Sequence, residues 1–126
     1  MTATNYTEDK VLAHGLGFSA WTMPAAMNLS LHTASPTDTG SFANEIAPAG
    51  YGRQAATFIS GGVGSAKSFG AISFTSLVWA APTAVSHWGL DDGTNMLFHG
   101  AFTETKTYSG TDTVTIPDAG ITVTCD

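Results

Sequence analysis

Val85-Ser86-His87-Trp88-Gly89-Leu90-Asp91-Asp92-Gly93-Thr94-Asn95-Met96-Leu97-Phe98-His99-Gly100-Ala101-Phe102 contains the clearest turn in the chain. Two runs rich in apolar and aromatic residues flank an Asp-Gly pair, which accepts the backbone angles that a tight hairpin needs. The stretch predicts two antiparallel strands joined at Asp91-Asp92-Gly93-Thr94. If Leu90 pairs with Asn95, His87 falls opposite Phe98 and His99 opposite Ser86, which sends the two histidines to opposite faces. Trp88 alternates with Leu90 and is expected in the core, facing Leu97.

Outward from this hairpin the same period of two recurs. Met27, Leu29 and Leu31 alternate with Asn28, Ser30 and His32, the pattern of a half-buried strand. Arg53 to Ile59 reads as a second strand, followed by a flexible break at Ser60-Gly61-Gly62-Val63-Gly64-Ser65. Ala71 to Thr75 alternates with Ile72 and Phe74 inward. Thr113 to Ile116, a turn at Pro117-Asp118-Ala119-Gly120 and a last strand from Ile121 to Cys125 complete the set. In that last strand Ile121, Val123 and Cys125 share a face, so Cys125, the lone cysteine, is expected as a packed thiol. Tyr6 to Gly17 is the one helical stretch: Thr7 is placed to cap it, Glu8 and Asp9 suit its positive end, and Val11, Leu12 and Leu16 form a docking side. Short strands separated by Gly, Pro, Asp and Thr breaks predict an all-β fold, an antiparallel β-sandwich or jelly roll with one short N-terminal helix. The 126 residues suit one domain, 1–126, with an N-terminal arm and helix over 1–26 and a long loop over 34–52, where Pro36, Gly40, Pro48, Gly50 and Gly52 fall.

Charged residues make up 11% of the chain, against about 25% in ordinary globular proteins, so Thr, Ser, Asn, Gly and Ala must form much of the surface. Such a skin suits a protein whose surface is occupied in an assembly, and also a Thr-rich β domain that stays free in solution. The net charge is −6, and the cations Lys10, Arg53, Lys67 and Lys106 are scattered, which excludes a phosphate-binding stripe and disfavours nucleic acid as a partner. The longest apolar run, Leu77 to Pro82, is far shorter than the roughly 20 residues of a membrane-spanning helix. The polar start, with Glu8 and Asp9, is unlike a secretory signal, so synthesis in the host cytoplasm without signal-directed export is expected.

Catalytic and metal patterns fail on spacing. His14, His32, His87 and His99 form no close helical pair, and no carboxylate or cysteine stands beside them at ligand spacing. Gly61 to Ser68 has Ala66 where a phosphate loop needs glycine before Lys67-Ser68. Asp91-Asp92-Gly93-Thr94-Asn95 lacks the spacing and terminal Glu of a calcium loop. No enzyme activity, metal or cofactor is therefore expected. Trp21, Trp79 and Tyr51 are the candidates for a carbohydrate platform, with core packing favoured for both tryptophans.

Several stretches in order along nearly the whole chain carry a resemblance: Met27-Asn28-Leu29-Ser30-Leu31-His32-Thr33-Ala34-Ser35-Pro36-Thr37-Asp38-Thr39-Gly40, then Asn44-Glu45, Gly50-Tyr51-Gly52-Arg53-Gln54-Ala55-Ala56-Thr57-Phe58, His87-Trp88-Gly89-Leu90-Asp91-Asp92-Gly93, Leu97-Phe98-His99-Gly100-Ala101-Phe102 and Ala119-Gly120-Ile121-Thr122-Val123-Thr124. Together they resemble a family of small tailed-phage virion proteins, often labelled phage tail fibre proteins. The resemblance implies a shared fold and a structural role in the particle, without active-site residues. Within that role the sequence shows no heptads or fibrous repeats for a shaft, which favours a capsid decoration or cement protein on the shell surface, with a compact tail fibre or appendage as the alternative and a carbohydrate-binding β module as a third reading. The expected partners are the major capsid protein and copies of the chain itself, as dimer or trimer. The candidate contact residues are Thr7, Glu8 and Trp21 with the arm from Met1, and Pro36, Asp38, Phe42, Glu45, Tyr51 and Arg53 in and beside the long loop. Arg53 either faces a neighbour or ties the loop to its own domain through Glu45 or Asp38.

Overall fold

The Asp-Gly turn closes a hairpin much longer than alternation alone predicts, and most of the remaining chain is hung on it. The computed structural model of the chain describes residues 2–22 and 24–125; Met1 of the expected arm, Met23 beside Trp21, and Asp126 lie outside the described residues. The described elements run β1 (Thr2–Ala3), α1 (Asn5–Gly15), β2 (Met27–His32), β3 (Gln54–Ala56), β4 (Phe58–Gly62), β5 (Ser65–Ser68), β6 (Ile72–Asp91), β7 (Met96–Ile116) and β8 (Thr122–Thr124). Among them, one antiparallel sheet has the order β1-β7-β6-β2-β3 and a second the order β4-β5-β8. The fold is mostly β and sandwich-like, with one short N-terminal helix.

The turn forms because both aspartates bond the backbone ahead of them. Asp91 Oδ1 accepts from Gly93 N at 2.8 Å, and Asp92 Oδ1 accepts from Asn95 N at 2.7 Å and Thr94 N at 2.9 Å. Strands β6 and β7 then stay paired from Asp91↔Met96 to Ile72↔Ile116. The separate short strands expected at Ala71 to Thr75 and Val85 to Leu90 are thus parts of one strand of 20 residues. Its partner runs through Thr103 to Thr113, where exposed polar residues gave no burial pattern to read. The ribbon can bend because its register shifts at four places, between Phe74/Leu77, Trp79/Thr83, Val85/His87 and Leu90/Asp91.

The expected strand Arg53 to Ile59 divides at Thr57. Strand β3 pairs with β2, whereas β4 joins the other sheet through β5. This corner is held by Phe69 N donating to Thr57 O at 2.9 Å and Thr57 Oγ1 donating to Phe69 O at 3.2 Å. The expected flexible break at Ser60 to Ser65 is a hairpin, with β4 continuing to Gly62 and β5 starting at Ser65.

Leu29, Leu31, Phe74, Leu77, Leu90 and Ile121 are almost wholly buried in the core between the sheets. Each contributes roughly 1.5–3 kcal/mol of burial. Trp88 is also buried but lies opposite Gly100, and not Leu97. The strand β2 is not half-buried: Ser30 and His32, on its polar side, are as inaccessible as Leu29 and Leu31.

The helix ends at Gly15 but differs from expectation in its cap and in the side it docks. Its cap is Thr4, whose Oγ1 accepts from Thr7 N, and Thr7 is a buried residue of the first turn. Thr4 Oγ1 donates to Met96 O at 2.6 Å and Thr7 Oγ1 to Leu97 O at 2.7 Å, so the helix start is pinned to β7 through hydroxyls. Its docking residues are Thr7 and Ala13, while Val11, Leu12 and Leu16 point outward. Cys125 is exposed, past the end of β8, and is not the packed thiol expected from alternation.

A Cβ on Gly100 would lie 2.5 Å from Trp88 Cζ2, part of a rigid ring, whereas one on Gly52 would meet nothing within 4 Å. Gly100→Ala is therefore expected to lower stability by about 1–3 kcal/mol in urea denaturation, with Gly52→Ala close to neutral. Equal effects of the two would contradict the packing of Trp88 on β7.

Candidate interaction site

The polar face of the larger sheet is assembled by register. His32 lies opposite His87, Ser30 opposite Gly89, and Gly89 opposite His99. Directly paired residues share a face, and so do residues two apart on a strand. His32, His87 and His99 therefore stand on one face. The expected placement of His87 and His99 on opposite faces fails because the shift between Leu90 and Asp91 pairs Leu90 with Phe98 in place of Asn95.

The segment between β2 and β3 is tied down beside this strand. Thr33 N donates to Asn44 O and Ile46 N to Leu31 O, each at 3.0 Å. Glu45 is its anchor: Arg53 Nε and Nη2 donate to the two carboxylate oxygens at 2.8 Å each, and the Tyr51 hydroxyl donates to Oε1 at 2.8 Å. That hydroxyl in turn accepts from Leu31 N at 3.1 Å, and the Tyr51 ring stacks on Phe74 at 5.8 Å. The Arg53 guanidinium sits 4.0 Å from the Phe42 ring centroid, and its Nη1 is 3.4 Å from Oδ1 of the fully buried Asp91. At the other end of the loop, His99 Nε2 donates to Asp38 Oδ1 at 3.3 Å and Asn5 N donates to Asp38 O at 2.8 Å. Gly40, at a φ of 68°, lies so close to Met96 that an added Cβ would come within 3.1 Å of its Cβ.

Of the sequence-predicted contact residues, Phe42, Glu45, Tyr51 and Arg53 thus come together, and they face their own domain. Arg53 takes the route back to Glu45; Asp38 is joined to His99 instead. Pro36 and Thr7 are buried, Glu8 is exposed, and Trp21 is half-buried, with its backbone N donating to His14 Nδ1 at 3.1 Å. Sequence reasoning missed Asp91 and His32 as members of the cluster, since neither lies near Arg53 in the chain.

The cluster's electrostatics follow from burial. His32 is held down to about 4, chiefly by burial and, despite the opposing pull of Glu45, by Arg53, His87 and His99. Burial and the neighbouring His99 also lower His87. Burial alone would raise Glu45, but hydrogen bonds from Arg53 and Tyr51 outweigh it and hold the carboxyl below its ordinary range. Burial and Glu45 push the Tyr51 hydroxyl well above its usual value, so it stays a donor. Hydrogen bonding to Glu45 raises Arg53. Among the described residues no group of three or more His, Cys, Asp or Glu is arranged to hold a metal ion.

The charged groups of this site clasp the loop between β2 and β3 to its own β framework, which makes the cluster a structural feature of the fold. The family model for the podophage GP4 fiber I protein gp80 matches residues 2–124, and the chain belongs to that family. It is therefore a structural, non-enzymatic protein of the phage particle, of the fibre type. A search of curated proteins finds no match.

Two outcomes test the clasp. Arg53→Ala leaves Glu45 and buried Asp91 without their cation and is expected to cost about 2–4 kcal/mol in chemical denaturation. A loss under a few tenths would show the cluster to be incidental. Because the folded His32 binds its proton less readily than the unfolded chain, stability is complete above pH ~6.5 and falls as the pH drops toward 4, by on the order of 3 kcal/mol. His87 acts in the same direction, and Glu45 extends the loss at still lower pH. Melting curves across this window should flatten in His32→Gln, and an unchanged slope would rule out His32 as the source.

Proposed function

We propose that the chain is a compact tail-fibre or tail-appendage subunit that works by packing against neighbouring virion proteins, copies of itself among them. The observation that carries this reading is the fibre-family match across residues 2–124. The same match gives no support to a cement role on the capsid shell, and no feature of the fold favours the major capsid protein as partner.

The architecture suits such a role. The long β6-β7 hairpin runs through both halves of the domain, and the Arg53-Glu45-Tyr51 clasp holds the long loop to it. The surface left over is rich in Thr, Ser and Ala along the middle of β6 and β7, where residues such as Ala84, Thr103, Thr105, Thr107 and Thr111 are exposed. Weak contacts of this kind become strong when many copies act together. A carbohydrate platform is disfavoured by the same geometry: Trp79 is buried and stacks on Tyr108 at 5.4 Å, and the Tyr51 ring is stacked on Phe74.

Electron microscopy of particles carrying a labelled version of the protein is expected to show signal at the tail or its collar, at a copy number far below that of the major capsid protein. Label spread over the shell would overturn the tail reading.

A further inference from the structure

The C-terminal half of α1 and the turn after it expose four large apolar side chains, Val11 (52%), Leu12 (59%), Leu16 (74%) and Phe18 (71%). Gly17, at a φ of 78°, turns the chain so that Leu16 and Phe18 project as a knob. Beside the helix lies an open hollow of about 730 Å³, with β1 and α1 on one side and β5 and β8 on the other. Its walls include Ala3, Val11, Leu12, Ala66, Phe98 and Val123, and among the described residues Glu8 is the one charged residue lining it. Leu16 and Phe18 are not part of those walls, so the knob does not fill the hollow of its own chain. The hollow also lies between two sheet edges, since β1 ends the larger sheet and β8 the smaller.

We propose that copies of this chain assemble through this face, with the Leu16-Gly17-Phe18 knob of one copy seated in the hollow beside α1 of the next. The proposal rests on the fibre reading for its setting and deepens it by naming the partner as a second copy. Charge argues for that partner. No Lys, Arg, Asp or Glu occurs between Lys10 and Asp38, so with Glu8 as its one described charge the face offers little to a strongly basic or acidic protein. In a chain of net charge −6, it is also where copies meet with Glu8 as the one carboxylate among the described residues of the hollow. Area argues the same way. At about 25 cal/mol per Å² and roughly 1.5–3 kcal/mol per large side chain, the four exposed residues present a few hundred Å² of apolar surface. That is short of the ~800 Å² per partner of a standard stable interface, so covering the knob alone is not enough. A copy of the chain brings both a knob and a hollow, and each molecule then buries the two together. Because knob and hollow are different surfaces, copies join either as a reciprocal pair or head to tail, as a ring or an open filament.

Sedimentation or light scattering over a range of concentrations should show the wild type as an oligomer. Leu16→Ser with Phe18→Ser should weaken its association roughly tenfold or more, with an unchanged circular dichroism spectrum because both side chains are exposed. The native Cys125, exposed in the wall of the hollow, gives an independent probe. Under mild oxidation Phe18→Cys should link copies through Cys125 much faster than Thr107→Cys, a control on the exposed middle of β7. A wild type that stays monomeric, serine variants of unchanged mass, or equal linking by the two cysteine variants would each overturn the interface. Placement on the particle is read separately: a tail-located monomer defeats this interface alone, and a shell-located oligomer defeats the tail placement alone.

Discussion

The register of β6 against β7 is the constraint on which the other contacts rest. A two-residue turn at the Asp-Gly signal would have set Leu90 against Asn95; the shift beside Asp91 sets it against Phe98. Since side chains alternate with a period of two, that displacement decides which residues face the core. It puts Trp88 over Gly100, where no side chain obstructs the indole, and brings His99 to the face of His87 and His32. It also leaves Met96 O and Leu97 O as acceptors for Thr4 and Thr7, which fixes where the helix begins. Asp91 links this register to the long loop. One carboxylate oxygen shapes the turn and meets Arg53, so the hairpin and the long loop share an anchor.

The legible parts of the fold were those in which one residue type leaves few alternatives. Asp91-Asp92-Gly93-Thr94 announced its turn, and the alternations at Met27 to His32 and Ala71 to Thr75 announced strands. The middle of β7 did not, because from Thr103 to Thr113 every residue but the half-buried Tyr108 is exposed, and a strand with one inward side chain has no alternation to betray it. Thr4 and Thr7 were confused as caps because either can receive a backbone N–H; the choice depends on carbonyls of β7, 90 and 92 positions away. Val11, Leu12 and Leu16 looked like a docking side for the same local reason. Of the candidate site, Glu45 and Arg53 were visible as a possible pair, but Asp91 and His32 enter it only through sheet pairing, which single-sequence periodicity does not specify.

The clasp should be weighed as a device of definition more than of stability. Ion pairs that are withdrawn from water recover little beyond their desolvation cost, and Asp91 Oδ2 is buried without a hydrogen-bond partner among the described residues. What the cluster does is make one arrangement of the loop far better than the others. The fork of Arg53 matches both oxygens of Glu45, Tyr51 reads the Leu31 amide, and Phe42 covers the guanidinium. Lysine in place of Arg53 would keep the charge and lose that selectivity.

This inward use of Arg53 bears on how the molecule meets others. With that cation committed to Glu45 and Asp91, the positive charge left for outside contacts comes from Lys10, Lys67 and Lys106, against a surface that is otherwise neutral or acidic. Long-range attraction to another acidic copy is then absent, and association has to depend on short-range burial and on hydroxyl contacts. Such contacts demand shape fidelity, because an apolar knob gains little from a loosely matched pocket. A domain framed by one continuous hairpin, with its long loop clasped down, supplies that fidelity. The same fidelity suits a structural protein of the phage particle.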